Sequence, residues 1–145
     1  MAVSFHFEKS IVLKNRTKLK NAIKEIFKVE QRSLASLDVI FCSDAYLLQI
    51  NQTYLQHNYF TDIITFDLSD STDADIMGEI YISVDTVKSN ASRFKVDLNH
   101  ELHRVIFHGV LHLCGFNDKS AAQSRGMSKA EDKYLELYFS SKTSD

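Results

Sequence analysis

No proline and no tryptophan occur in this sequence, and glycine and cysteine are scarce, at four and two residues. Without proline, and with so little glycine, the chain has no proline-rich spacer, glycine-rich linker or low-complexity tract, so the ends of its elements must be read from polar clusters. Two thiols, Cys42 and Cys114, exclude a disulfide scaffold, and in a reducing compartment both are expected to stay free. No stretch approaches the roughly 18 uninterrupted apolar residues of a membrane helix. The opening "MAVSFHFEKS" has neither the basic start nor the apolar centre of an export signal, which predicts a soluble, cytoplasmic protein. An excess of one charge is also missing. The net charge is −2 and the sequence pI is near 6.3, so no overall basic footprint announces a nucleic-acid binder and any RNA contact must be local.

What is present is ordinary globular usage, 44% hydrophobic and 25% charged over 145 residues, the size of one domain spanning 1–145. "VSFHF" (3–7) alternates as a half-buried strand does, and residues 17–28 put Leu19, Ile23, Ile26 and Phe27 on one helical face. Further strands are expected at 34–43, 62–68 and 78–84, the last two pairing antiparallel across an acidic loop. Helices are expected at 43–55 from a Ser43 or Asp44 cap, at 85–95 behind Asp85, at 98–113 and at 120–139. The class is α+β, a small mixed four-stranded sheet packed with about five helices.

The helix over 98–113 ends in the most informative stretch, "HGVLHLCGFND" (108–118). His108 and His112, at i and i+4, project from one helical face and offer two points of attachment to a cation. Gly115 permits a left-handed turn that can bring Asp118 back under the two rings as a third ligand, leaving a fourth position for water. Ligands at positions 1, 5 and 11 with glycine at 8 match the spacing of the long metzincin motif, which predicts a zincin-like site at the helix end. Against this stands a packed helix end with two hydrogen-bonded histidines. A zinc peptidase carries Glu beside the first histidine, whereas this chain has Gly109, so peptidase chemistry lacks its base. A mid-helix glycine is otherwise explained by close packing against a strand or by close approach of a substrate.

These residues resemble the YbeY endoribonucleases, whose motif HGxLHLxGxDH is matched at His108, Gly109, Leu111, His112, Leu113 and Gly115, with Asp118 in place of the last histidine. "INQTYL", "FTDIITF" and "GEIYIS" follow the order of further family segments, so the similarity runs from about 39 to 138. Leu55 stands where the family usually has arginine, and Phe60 where it has proline. The resemblance implies a single-strand-specific metallo-endoribonuclease with zinc at a three-histidine site. It implies action on ribosomal RNA of the small subunit, in 16S 3′-end maturation and in ribosome quality control. A bound Zn2+ would supply a metal-activated water near neutral pH and polarise a phosphoryl oxygen. The Asp ligand makes the site more negative and favours Mn2+ or Mg2+ more than three histidines would, although two imidazoles still suit zinc best.

Asp62 and Glu79, each opening a strand, are the candidate catalytic or supporting carboxylates; His57 and Arg104 rank below them. Lys14, Arg16, Lys18, Lys20, Lys24 and Lys28 make the first helix locally basic, either as a phosphate-steering surface or as a solvated face. His100 and His103 point away from the His108 face and are expected at the surface, and Cys114 is expected in the core. Two alternatives to a nuclease stay open: a zincin-like peptidase, and a ribosome-binding module in which the ion only clamps the helix end.

Overall fold

The computed structural model describes residues 2–55, 61–71 and 74–140. In chain order they form β1 (Ala2–Phe7), α1 (Arg16–Val29), β2 (Leu34–Cys42), α2 (Asp44–Leu55), β3 (Ile63–Asp67), β4 (Ile76–Ser83), α3 (Val84–Phe94), α4 (Leu98–Leu113) and α5 (Ala121–Ser140). The four strands lie in the order β1-β2-β4-β3. β1 and β4 both run parallel to β2, and β3 runs antiparallel to β4, the mixed sheet that the sequence predicts. β4 starts two residues earlier than its pattern suggests, because the Ile76 N–H donates to the Ser33 carbonyl and Ile76 pairs with Leu34.

Alternation along the strands sends two sets of side chains to opposite faces. Val39, Phe41, Ile80 and Ile82 join Leu19, Ile23 and Phe27 of α1, Leu102, Ile106 and Val110 of α4, and Tyr134 and Tyr138 of α5 in the main core. Burying each large side chain there contributes about 1.5–3 kcal/mol relative to leaving it in water. On the other face Cys42, Leu47, Ile50 and Ile64 form a smaller cluster beneath α2, with Phe66 and Tyr81 against it.

α4 is the central helix. Asp97 caps it, accepting hydrogen bonds from the Asn99 and His100 N–H groups, and residues around most of its circumference are buried. A Cβ on Gly109 would sit 2.8 Å from Ile63 Cδ1 and 3.0 Å from two Ile80 carbons, so the glycine lets the helix lie directly on β3 and β4. Close packing, not a substrate, accounts for it. The expectation that His103 is a surface residue is wrong: it is 1% exposed, stacked on Tyr138, because α5 covers the flank of α4 that a one-sided helix would leave wet. His100 is exposed. Both cysteines are free and buried, and burial pushes each thiol up to about 12. Among the described residues no helix is long and apolar enough to cross a membrane.

Candidate metal centre

The site is made where α4 stops. Gly115 takes a φ of 105°; its N–H donates to the His112 carbonyl and the Phe116 N–H to the Leu111 carbonyl, the paired bonds of a Schellman ending. Arg32 adds a hydrogen bond of 3.0 Å to the Cys114 carbonyl. The chain so turned carries Asp118 back across the last turn of the helix, to the face where His108 and His112 project.

The Nε2 atoms of His108 and His112 are 3.0 Å apart. Asp118 Oδ2 lies 3.5 Å from the first and 3.6 Å from the second. A tetrahedral ion bound at about 2.0–2.1 Å requires donor atoms about 3.3 Å from one another, so the three edges bracket the ideal value. A hydrogen bond between the two imidazoles would account for the shortest edge alone; it leaves the carboxylate equidistant from both rings without bonding either. The three side chains are 20%, 25% and 42% exposed, which leaves the outer side of the triangle open to solvent and to a fourth ligand. This set is a group of donors that could hold a metal ion.

Behind His108 lies a residue that motif reading missed. Glu131 of α5 is 3% exposed, and its Oε2 is 2.5 Å from His108 Nδ1. Opposite a carboxylate Nδ1 carries the proton and donates it, leaving the Nε2 lone pair for the triangle. Burial alone would lower the proton affinity of His108. The Glu131 hydrogen bond and charge, with the charges of Asp118 and Asp62, outweigh it and hold the pKa above the usual histidine value. Arg104 donates at 3.2 Å to the other oxygen of Glu131 and, through Nε and Nη2, at 2.9 and 2.6 Å to Glu101, which pushes its pKa higher still. The sequence does hold a signal for Glu131. It sits in the stripe Met127, Tyr134, Leu135, Tyr138 that α5 buries, where a lone acid needs a partner.

The other candidates separate. Asp62 precedes β3, its main-chain carbonyl accepting from Ser83 N–H and its charge felt at His108. Glu79 does not join the cluster: its neighbours Gly78 and Ile80 face α4, so it projects from the opposite face, where it accepts a hydrogen bond from Tyr81. His57 and Phe60 lie outside the described residues. On α1, Arg16, Lys18 and Lys20 lie over the rings of Phe7, Tyr138 and Phe5.

Comparison with known proteins agrees with this geometry. Residues 4–138 match the family described as Endoribonuclease YbeY. An Endoribonuclease YbeY of Flavobacterium psychrophilum is 43% identical over 136 residues, covering 94% of this chain and 96% of the relative. One of Phocaeicola vulgatus is 48% identical over 115 residues, covering 79% and 82%. The solution structure of a Thermotoga maritima protein superposes with a TM-score of 0.67 at 29% identity, covering 94% of this chain and 89% of that one. With its helix-end triangle of donors and a match running from the first strand to the last helix, the chain belongs to the Endoribonuclease YbeY family.

Proposed function

We propose that the protein is a metal-dependent endoribonuclease that hydrolyses phosphodiester bonds of single-stranded RNA. The observation that carries this reading is the triangle of His108, His112 and Asp118, with edges of 3.0, 3.5 and 3.6 Å and an open outer side, in a chain whose family relatives are named endoribonucleases. A zinc or manganese ion there would act as a Lewis acid on a phosphoryl oxygen and make water a nucleophile near neutral pH. The two imidazoles and the carboxylate would hold and orient the ion. Asp62, whose charge is felt at His108, would be the carboxylate to accept a proton from a water at the site, and the partly exposed His108 and His112 leave it open to a flexible single strand. The substrate in the cell is small-subunit ribosomal RNA, in 16S 3′-end maturation and ribosome quality control, in the cytoplasm.

The test is cleavage of a single-stranded RNA oligonucleotide by metal-loaded protein, by chelated protein and by Asp62→Asn. Cutting by the first alone supports the reading; equal cutting by loaded and chelated protein overturns the metal's role. One observation favours a second reading. Leu55, at the family's usual arginine position, is the uncharged last residue of α2 and 39% exposed, so this chain presents no cation there to a phosphate. In that reading the ion only clamps the end of α4 within a ribosome-binding module. Loaded protein that stays folded, loses its structure on chelation and cuts no RNA would establish it. Peptidase chemistry gains nothing, since position 109 is pressed against Ile63 and Ile80 and presents no base.

A further inference from the structure

We infer that Glu131 is the positioning residue of the metal centre, locking the His108 ring with its proton on Nδ1 and its Nε2 turned to the cation, while Arg104 and Glu101 hold the Glu131 carboxylate in place. The inference rests on the metal reading above and adds to it a residue twenty-three positions from the histidine it serves. Glu131 is buried within an otherwise apolar stripe of α5, and a well-packed apolar residue there would stabilise the fold at least as well as a buried ion pair. Arg104 does not require it. The guanidinium already meets Glu101 through two nitrogens, at 2.9 and 2.6 Å, and reaches Glu131 with a single one at 3.2 Å. Glu131 instead requires Arg104, as the cation that partners a carboxylate buried among apolar residues. Two acids and one guanidinium leave one negative charge over, and the atom it reaches is His108 Nδ1, at 2.5 Å. A carboxylate behind a ligating imidazole fixes its tautomer and makes it a better donor, and removing such a partner costs about 10–100-fold in metal affinity.

The probe is Co2+, titrated against a competing chelator into the full-length protein, its Glu131→Gln variant and a control on the same helix, Asp132→Asn, at an exposed position. Glu131→Gln should bind Co2+ about 10–100-fold more weakly, with a shifted visible spectrum for the bound ion, and Asp132→Asn should match the wild type. A purely structural Glu131 would lower the melting temperature of the metal-free variant and leave the Co2+ affinity of its folded form unchanged, which overturns the inference. No Co2+ binding by the wild type overturns the metal reading and the inference together, whereas equal binding by wild type and Glu131→Gln overturns the inference alone. If the variant does not fold, zinc-loaded wild-type protein decides. Two-bond 1H–15N correlation should place the His108 proton on Nδ1, and an unprotonated Nδ1 overturns the inference.

Discussion

His103 and His108 lie five residues apart on one helix, both with largely buried rings, and the fold treats them in opposite ways. His103 meets Tyr138, Phe107 and Phe139 and donates from Nδ1 at 2.6 Å to the Asn99 carbonyl. Burial lowers its pKa; the Asn99 bond opposes this only in part, and the neighbouring His100 and Lys18 add to it. His108 has the same burial working against its proton, but three carboxylates more than restore it. A buried histidine is therefore not a site in itself. What distinguishes a core imidazole from a ligand is the acid behind the ring and the acid in front of it, here Glu131 and Asp118.

The largest effect should come from removing the acid in front. Asp118→Ala reduces three donors to two, and its metal retention after dialysis, read by elemental analysis, should fall by more than the ~100-fold that loss of an outer partner produces. Unchanged metal content would mean that His108 resembles His103 after all. Next comes the face of α4 turned to the sheet. Gly109→Val forces side-chain atoms into Ile63 and Ile80, and denaturant unfolding should register a loss of about 1–3 kcal/mol or more from overpacking.

A smaller, pH-dependent effect belongs to His103. Its folded-state pKa is depressed, so as pH falls through about 6.5 the unfolded chain takes up a proton that the native ring refuses, and stability drops toward the folded pKa. Melting temperatures measured between neutral and mildly acidic pH should diverge less in His103→Phe than in the wild type; an identical acid slope would show that the ring carries no such load. The smallest effect is expected across the sheet. Glu79→Gln should leave metal content unchanged and stability within about 0.5 kcal/mol. It should also bring the Tyr81 phenol, raised to about 12 by burial and by Glu79, back toward its ordinary value.

The comparison also separates what the sequence made legible from what it did not. His108, His112, Gly115 and Asp118 were readable because their relation is local: helical periodicity aligns the first two and a single left-handed residue returns the last. The ends of α4 and the antiparallel pairing of β3 with β4 were readable for the same reason. Glu131 and the burial of His103 depend on α5 lying across α4, which no spacing within either helix encodes. A one-face reading of amphipathicity assumes a wet side, and α4, clasped by the sheet, α3 and α5, has almost none over its middle turns. Glu79 lies on the sheet face away from the donor triangle, beside Tyr81, because its place near a strand's start says nothing of which face the alternation assigns it.

The short turn after α1 has a mechanical consequence. Glu30 accepts from the Tyr134 hydroxyl on α5, and two residues later Arg32 grips the Cys114 carbonyl that caps α4, across 82 positions of sequence. One three-residue segment thus pins both of the helices that meet at the donor triangle. Loosening it would slacken ligand and backing carboxylate in a single motion, so a bound ion and that distant bend should breathe together or not at all.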